Sequence, residues 1–198
     1  MAIKNDREYR NLGAFEIKAI DEERMVEGYA STFEPYPLWE EDGITYYERI
    51  DPKAFDAADM SDVVFLKDHM GTVLARTKNG LLKLGIDEHG LAVRADLNKT
   101  TAGRQMIEEI EVGNYTQMSF AFTVEADHYE QETHTRVIDA FRKIYDVSAV
   151  SFPANPGTDI GISARDYFNG VIEAEKAERL ERENREHQKQ RIRILMEM

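Results

Sequence analysis

A chain of 198 residues with 42% hydrophobic and 10% aromatic residues can bury one substantial core, so we expect one main domain. It contains no cysteine, which excludes disulfides, thiolate metal ligands and cysteine nucleophiles and indicates a reducing, intracellular setting. A net charge of -13 disfavours nucleic-acid binding, and no apolar run approaches the roughly 18 residues of a membrane span, so neither partner is expected.

The first third of the chain is predicted to be mainly β structure. Phe15 and Ile17 alternate with polar residues, and a turn-forming run at 34–37 follows the second strand. Asp51 and Pro52 supply an N-cap and a first-turn proline for a helix to about residue 60. The next short strand would carry Asp68 and His69 at its carboxyl end. The predicted strands in this part are 25–33, 45–50 and 63–66.

The middle of the chain predicts a hairpin followed by a helix. Strands 81–86 and 91–97 flank a polar turn that ends in glycine, at residues 87–90. Thr100 or Thr101 can cap the helix, and Gly113 is placed to end it in the left-handed conformation.

The helix leads into a strand that carries Ser119. Alternation places Ser119 on the smaller, more polar face of this strand, opposite an apolar face formed by Met118, Phe120, Phe122 and Val124. A polar connection at 128–135 precedes one or two strands over 137–152, which contain Asp146, and a Pro-rich break follows at 153–157.

Composition changes at about residue 163, where Glu, Arg, Lys, Gln and Ala become dominant. We therefore predict a main domain at 1–162 and a charged helical tail at 163–198. Residues 181–191 contain no apolar side chain, so this part of the helix is either solvated or held by a partner.

Ser119, His69 and Asp146 fall on separate elements of one predicted sheet. A serine hydroxyl needs an imidazole within about 3 Å to accept its proton, and a third group can fix the imidazole tautomer. Each residue also has an ordinary interpretation. Ser119 can be a polar residue on the less buried face, His69 a surface residue beside Asp68, and Asp146 an ion-pair partner of Arg142 or Lys143.

Metal catalysis is the other chemistry that these residue types permit. The spacing disfavours it, because there is no His-Glu-x-x-His motif, so we expect no metal and no cofactor. The available histidines are His69, His89, His128 and His134.

Five short segments, taken together and in this order along the chain, favour the catalytic interpretation over the ordinary ones. They are Glu-Gly-Tyr-Ala-Ser-Thr-Phe at 27–33, Tyr-Glu-Arg-Ile-Asp-Pro-Lys-Ala-Phe at 47–55, Val-Phe-Leu-Lys-Asp-His at 64–69 with Leu-Ala-Arg-Thr at 74–77, Met-Ser-Phe-Ala-Phe at 118–122, and Asp-Val-Ser-Ala-Val-Ser-Phe-Pro-Ala-Asn-Pro at 146–156. Together, across about residues 15–164, they resemble the prohead (capsid-maturation) serine protease family of tailed phages. The chain departs from the family pattern in two of these segments. Asp68 and Met70 flank His69 where an amide and an acid are usual, and Asp146 replaces a commoner glutamate, so it needs a closer approach to His69.

The resemblance implies an α+β fold related to the herpesvirus assembly proteases, a mostly antiparallel β barrel surrounded by helices, here with a long charged C-terminal helix. It implies a serine endopeptidase with Ser119 as nucleophile, His69 as general base and Asp146 as third member. Its substrate would be the scaffold segment of the major capsid protein, with self-cleavage of the tail and a homodimer as further expectations. It would act inside the immature capsid, in the host cytoplasm.

The sequence alone leaves three questions open. A noncatalytic assembly protein could keep the protease fold, although the presence of both Ser119 and His69 argues against this. A small esterase is the other rival, but Ser119 lacks the Gly-x-Ser-x-Gly context of a common esterase fold. Related viral proteases use arginine near the site, which makes Arg76 and Arg104 candidates for a supporting role.

Overall fold

The computed structural model describes residues 7–16, 18–20, 25–151 and 162–196. The predicted strand residue Ile17 and the predicted break at 153–157 lie outside them. The chain divides into two compact units, Met1–Ile160 and Gly161–Met198. Eleven strands and two α-helices occur in the described residues: β1 Glu8–Glu16, β2 Lys18–Ile20, β3 Met25–Thr32, β4 Tyr36–Glu41, β5 Ile44–Ile50, β6 Val64–Lys67, β7 Met70–Arg76, β8 Leu82–Ile86, β9 Gly90–Asp96, α1 Thr101–Glu111, β10 Gln117–Glu130, β11 Thr135–Val150 and α2 Ile162–Met196.

The strands form two sheets. The larger has the order β1-β10-β11-β5-β4, with β6 paired to β11 and β7 paired to β6, and the smaller has the order β2-β3-β9-β8. The 16-residue β11 organises the larger sheet, because it is antiparallel to β10 and parallel to both β5 and β6. Its first part pairs with β5 and its last part with β6. The α+β class is therefore confirmed, with a mixed larger sheet.

The predicted β barrel is not closed in the described part of the chain. A barrel requires every strand to have a neighbour on both sides. Within the described residues β1 and β4 end the main path of the larger sheet, and β2 and β8 end the smaller one. The strands divide between two open sheets because the long β10 and β11 build one sheet while the β8–β9 hairpin builds on β3 in the other.

One hydrophobic core joins the two sheets and α1. Phe120, Phe122 and Phe141 are completely or almost completely buried, and Phe122 packs against Phe141 with ring centroids 4.8 Å apart. Such aromatic pairs contribute about 0.5–1.5 kcal/mol beyond the burial of their area. Since Phe120 and Phe122 fix one face of β10 to the core, the predicted alternation places Ser119 on the opposite face.

The hairpin and the first helix follow the sequence prediction closely. β8 and β9 pair antiparallel around a turn at 87–89, and a Cβ on Gly90 would lie 2.0 Å from the Ser31 carbonyl oxygen, so no larger residue fits there. Thr100, rather than Thr101, caps α1 by accepting a hydrogen bond from the Gly103 amide at 3.0 Å. Gly113 has φ 82° and donates to the Ile110 carbonyl, as predicted for a left-handed helix end.

The predicted helix from Asp51 to about residue 60 is wrong, because only a 3-10 turn, Pro52–Phe55, forms. Asp51 does cap it, accepting from the Lys53 amide at 2.8 Å. The chain then leaves the helical path since the backbone of Asp59 bonds to β11, donating to the Arg142 carbonyl and accepting from the Ile144 amide. Backbone pairing to an existing sheet replaces the hydrogen bonds that further helix would make.

Three β segments differ from the prediction. β4 begins inside the supposed turn at 34–37, and its proline is tolerated because β4 lies at a sheet edge. β7 was not predicted. β10 extends to Glu130, so the predicted polar connection at 128–135 shrinks to a turn at 131–134.

The second unit contains α2, a helix of 35 residues. Residues 181–190 are all exposed, as expected for a stretch without apolar side chains. No helix among the described residues is both long enough and apolar enough to cross a membrane.

Candidate active site

Ser119 lies near the start of β10, and the sheet rather than solvent surrounds it. It is 2% exposed, and Ala121 on the same face is fully buried. The interpretation of Ser119 as a polar residue on a less buried strand face is therefore wrong. A buried hydroxyl needs hydrogen-bond partners.

Asp146 and Ser148 lie on β11 opposite this part of β10. Ser148 pairs with Ser119 and Asp146 pairs with Ala121 in the antiparallel register. Residues two apart on a strand share a face, so both side chains stand beside Ser119. Asp146 is 1% exposed and Ser148 is fully buried.

His69 reaches the site from a tight turn rather than from the end of a strand. β6 runs parallel to β11, and Lys67 pairs with Met70 across a two-residue turn formed by Asp68 and His69. Both turn residues have positive φ, 46° and 58°, the left-handed conformation that such a hairpin turn requires. Asp and His tolerate this conformation better than most residues, and it costs about 1–2 kcal/mol per residue. The Asp68 amide donates to the Ala149 carbonyl at 3.0 Å, which ties the turn to β11.

The three side chains predicted from the sequence form one hydrogen-bonded chain. His69 Nε2 lies 2.6 Å from Ser119 Oγ, and His69 Nδ1 lies 2.5 Å from Asp146 Oδ1. The His69 side chain is 17% exposed, so the imidazole alone of the three borders solvent. The short aspartate side chain therefore does reach the ring.

The partners of each atom fix where the protons lie. An ionised carboxylate only accepts hydrogen bonds, so His69 Nδ1 carries a hydrogen that it donates to Asp146. In the neutral imidazole, Nε2 is then an acceptor, to which the Ser119 hydroxyl can donate its hydrogen. This is the tautomer in which the ring can take a proton from the serine.

Ser119 has a second neighbour that sequence reasoning missed. Its Oγ lies 2.8 Å from the carbonyl oxygen of Arg10, on β1. β1 pairs antiparallel with β10, and Asn11 is opposite Ser119. The one hydroxyl hydrogen of Ser119 thus has two acceptors within reach, the Arg10 carbonyl and His69 Nε2.

A buried ion-pair cluster, formed by Glu8, Arg10, Glu48 and Arg136, holds β1 in this place. All four residues are at most 4% exposed. Arg10 binds Glu48 through two nitrogens, at 2.5 and 2.8 Å, while Arg136 contacts both carboxylates, Glu8 at 2.9 Å and Glu48 at 3.0 Å. Burial alone would raise the pKa of Glu8, but the charges of Arg10 and Arg136 outweigh it and lower this pKa to about 2.

Two further residues of the amino-terminal segment touch the site. The Tyr9 ring packs edge-on against the His69 imidazole, with centroids 4.7 Å apart. Arg7 places a guanidinium nitrogen 3.9 Å from Asp146 Oδ2, and its side chain is 43% exposed, so solvent screens this interaction.

A cleft of about 800 Å³ opens between the β6–β7 hairpin and α1, and its lining includes Asp68 and Met70, the chain neighbours of His69. Met70 and Val112 are each 72% exposed, although both are apolar. Large apolar side chains left in solvent at the edge of a cleft are typical of a binding surface. Its lining includes apolar side chains and three carboxylates, namely Met70, Leu74, Met106 and Val112 with Asp68, Glu108 and Glu109.

The alternative roles proposed for Asp146 and the other histidines do not match these contacts. Arg142 pairs with Glu125 and Lys143 with Asp59, so each has another carboxylate as a partner. His128 binds Asp139 at 2.7 Å. His128 lies nine residues from Ser119 on β10, which is about 30 Å along the strand. Within the described residues, no group of three or more His, Asp and Glu side chains is placed to hold a metal ion.

The arginines that the resemblance suggested make other contacts. Arg76 binds Asp62 through two nitrogens, at 2.5 and 2.6 Å, and Arg104 donates to the Asn98 carbonyl and the Thr101 hydroxyl. No hydrogen bond in the described part links either of them to the Ser119–His69–Asp146 chain.

A serine hydroxyl bonded to an imidazole, which is itself bonded to a buried carboxylate, is the arrangement that serine hydrolases use. The family model of the caudovirus prohead serine proteases matches residues 13–171, most of the chain, and the chain belongs to this family. This membership supports a role as a capsid-maturation protease. No curated protein and no solved structure matches the chain significantly.

Proposed function

We propose that this chain is a serine endopeptidase that cleaves the scaffold segment of the major capsid protein during prohead maturation. The observation that carries the proposal is the continuous contact from Ser119 Oγ through His69 to Asp146, with distances of 2.6 and 2.5 Å. Family membership supplies the reaction class and the setting.

In the first half of the reaction, Ser119 Oγ attacks the scissile carbonyl carbon while His69 Nε2 accepts the hydroxyl proton. The imidazolium that forms lies 2.5 Å from the Asp146 carboxylate, which stabilises its charge and keeps Nδ1–H pointed away from the serine. The proton then passes from Nε2 to the leaving amine, and an acyl-enzyme remains on Ser119.

In the second half, His69 acts again as base and takes a proton from a water that attacks the ester carbonyl. The bond between the acyl carbon and Ser119 Oγ breaks, and Oγ recovers its hydrogen from Nε2. Backbone amides would bind the oxyanion in both halves, and one such donor is typically worth about a hundredfold or more in turnover.

We place one side of the substrate chain in the cleft next to His69. Asp68 and Met70 line the cleft and are the chain neighbours of His69, so a peptide bond held at Ser119 lies within a few residues' reach. Three carboxylates, those of Asp68, Glu108 and Glu109, outnumber the one cation, Lys67, among the charged lining residues. The cleft therefore favours a substrate that carries Lys or Arg beside an apolar residue, since opposite charges attract.

The same proposal covers organisation and setting. Residues 1–162 would form the protease domain, related in fold to the herpesvirus assembly proteases, and 163–198 a tail that docks on helical scaffold or is itself cleaved. The enzyme would act inside the immature capsid in the host cytoplasm, and a homodimer is consistent with a long exposed helix.

Coexpression with a capsid precursor tests the proposal. We expect Ser119→Ala to abolish processing, because removal of a catalytic serine lowers kcat by about 10⁶-fold. Ser61→Ala, at a serine in an exposed turn, is the matched control and should process normally. Labelling with a fluorophosphonate, which reacts with activated serines, should follow the same pattern.

Each alternative predicts a different result. A noncatalytic assembly protein would bind capsid subunits, resist labelling and tolerate Ser119→Ala. An esterase would be labelled but would leave the capsid precursor uncut. If the purified wild-type protein and Ser119→Ala both keep an intact tail after incubation, the self-cleavage part of the proposal is removed.

A further inference from the structure

Ser148 contacts two members of the candidate site, although sequence reasoning gave it no role. Its Oγ lies 2.9 Å from Asp146 Oδ1 and 3.2 Å from His69 Nδ1. The residue is fully buried and lies directly opposite Ser119 in the β10–β11 register.

Donor and acceptor roles assign a direction to these contacts. Because the Asp146 carboxylate only accepts, the Ser148 hydroxyl donates its hydrogen to Oδ1. Its lone pairs then face the His69 Nδ1–H, which has Oδ1 as its nearer acceptor at 2.5 Å. Ser148 therefore spans the hydrogen bond between His69 and Asp146 from the side.

Asp146 has few other partners for a buried carboxylate. Oδ1 receives hydrogen bonds from His69 and Ser148, whereas Arg7, 3.9 Å from Oδ2, lies beyond hydrogen-bonding distance. Losing the Ser148 bond would leave the carboxylate hydrogen-bonded to His69 alone among the described residues, with the exposed Arg7 as an ion-pair partner. The carboxylate could then rotate about its side-chain torsion, which is broad for aspartate.

We propose that Ser148 is a positioning residue for proteolysis, which fixes the Asp146 carboxylate and the Nδ1–H of His69 so that Nε2 stays directed at Ser119. This inference rests on the proposed function. It extends the hydrogen-bonded chain from three side chains to four, all projecting from one face of the β10–β11 pair and the adjoining β6–β7 turn.

Three variants separate the effect of the Ser148 hydroxyl from the effect of the side-chain volume. Ser148→Ala removes the hydroxyl, Ser148→Thr keeps it and adds a methyl group, and Ser148→Val has the volume of threonine without the hydroxyl. Ser31→Ala is the matched control, since Ser31 is a buried serine whose Oγ has no hydrogen-bond partner among the described residues.

The measurement is fluorophosphonate labelling, with the maximal inactivation rate kinact separated from the inhibitor affinity KI. We expect kinact to fall about tenfold in Ser148→Ala and Ser148→Val, the usual effect of losing a hydrogen bond to a charged group, while KI stays within about twofold. Ser148→Thr should recover most of the loss relative to Ser148→Val, and Ser31→Ala should match the wild type.

Equal values of kinact in the Thr and Val variants would overturn the inference, because only volume would then matter. So would an Ala variant that labels as fast as the wild type. A melting curve for each variant identifies a misfolded protein, and Ser148→Ala, which adds no volume, still decides the case if Thr and Val fail to fold. If Ser119→Ala is labelled too, the proposed function itself fails, which is a separate outcome.

Discussion

The candidate active site and the buried ion-pair cluster lie in the same seven-stranded sheet, yet they differ in how buried charge is compensated. In the cluster, Glu48 accepts hydrogen bonds from Arg10, Arg136 and Tyr36, so permanent cations compensate its charge. Arg136 also binds a further carboxylate, that of Asp127. In the active site, the buried Asp146 carboxylate accepts hydrogen bonds only from His69 and Ser148 in the described part of the chain. The nearest guanidinium, that of Arg7, lies 3.9 Å away on a side chain that is 43% exposed.

The difference separates two uses of buried charge. A buried carboxylate that is already paired with permanent cations gains little when a further positive charge forms. It does fix the strands that carry those cations. A buried carboxylate whose hydrogen-bond partners are a neutral imidazole and a hydroxyl, and whose nearest cation is exposed to solvent, gains its strongest partner when the imidazole accepts a proton. The cluster therefore contributes structure, and Asp146 is suited to a charge that appears during catalysis.

Arg10 connects the two regions. Its guanidinium belongs to the ion-pair cluster, and its backbone carbonyl lies 2.8 Å from Ser119 Oγ. Fixing the side chain therefore also fixes the backbone of β1 beside the nucleophile candidate. Variants that change only the ion-pair cluster or only the active site can test whether the cluster contributes to stability and Asp146 to catalysis.

Among the variants that test this comparison, Asp146→Asn is expected to have the largest effect. In Asp146→Asn the side-chain amide would donate to His69 Nδ1, which forces the proton to Nε2 and leaves no acceptor for Ser119. A change of this kind in a Ser-His-Asp site lowers kcat by about 10⁴-fold. Kinetics of fluorophosphonate labelling or precursor cleavage measure this loss.

The free energy of unfolding should not fall in Asp146→Asn, because the amide removes a buried charge at nearly constant volume. Asp139→Asn, at a half-exposed aspartate of the same strand that binds His128, is the control and should change neither quantity strongly. A fully active Asp146→Asn enzyme would show that Asp146 is not the third member of the site.

The next largest effect is on stability and comes from Glu8. Its pKa of about 2 lies below the usual 4.5, so its ion pairs stabilise the fold above pH 4.5, and this contribution is lost as the pH falls towards 2. At 1.36 kcal/mol per pH unit the contribution is about 3 kcal/mol. Glu8→Gln should lose about this much stability at pH 7, as measured by chemical denaturation.

The same variant should show a weaker decline of stability than the wild type between pH 4.5 and 2, because the titrating group is gone. Turnover per folded molecule should change little, since Glu8 bonds to Arg10 and Arg136 rather than to a side chain of the triad. Glu125→Gln, at an exposed ion pair with Arg142, provides the control. Unchanged stability in Glu8→Gln would contradict the structural role assigned to the cluster.

Elements with an uninterrupted local pattern were predictable from the sequence. The β8–β9 hairpin, α1 with its caps and the alternation that directs Phe120 and Phe122 inward depend on neighbouring residues, so the printed order suffices. The sequence pattern indicated this first β structure only at Phe15 and Ile17, whereas β1 begins at Glu8. Its inward side chains, Glu8 and Arg10, are charged, and their partners Glu48 and Arg136 come from distant strands.

The candidate site was likewise predictable from the sequence only in part. Ser119, His69 and Asp146 were named from their motifs, and the structure brings their side chains together, while their catalytic roles stay a proposal. The turn that carries His69 was not predicted, because a hairpin turn with two positive φ values usually signals itself by glycine, and here Asp68 and His69 occupy it. Ser148 is two residues from Asp146, a spacing that places both on one face, but only the strand register shows what they face.

The smallest effect is expected at Arg76, which the family resemblance made a candidate for a supporting role. It pairs with Asp62 at the surface, where its side chain is 44% exposed, and this ion pair lowers the pKa of Asp62. Solvent screens such a pair, so Arg76→Ala should neither reduce turnover by more than about twofold nor destabilise the protein more than Arg94→Ala, which removes a similarly exposed pair with Glu27. A loss of turnover in Arg76→Ala at unchanged stability would instead mean that the exposed charge of Arg76 takes part in the reaction. A charge paired in a salt bridge would then contribute to catalysis, contrary to the difference inferred between the ion-pair cluster and Asp146.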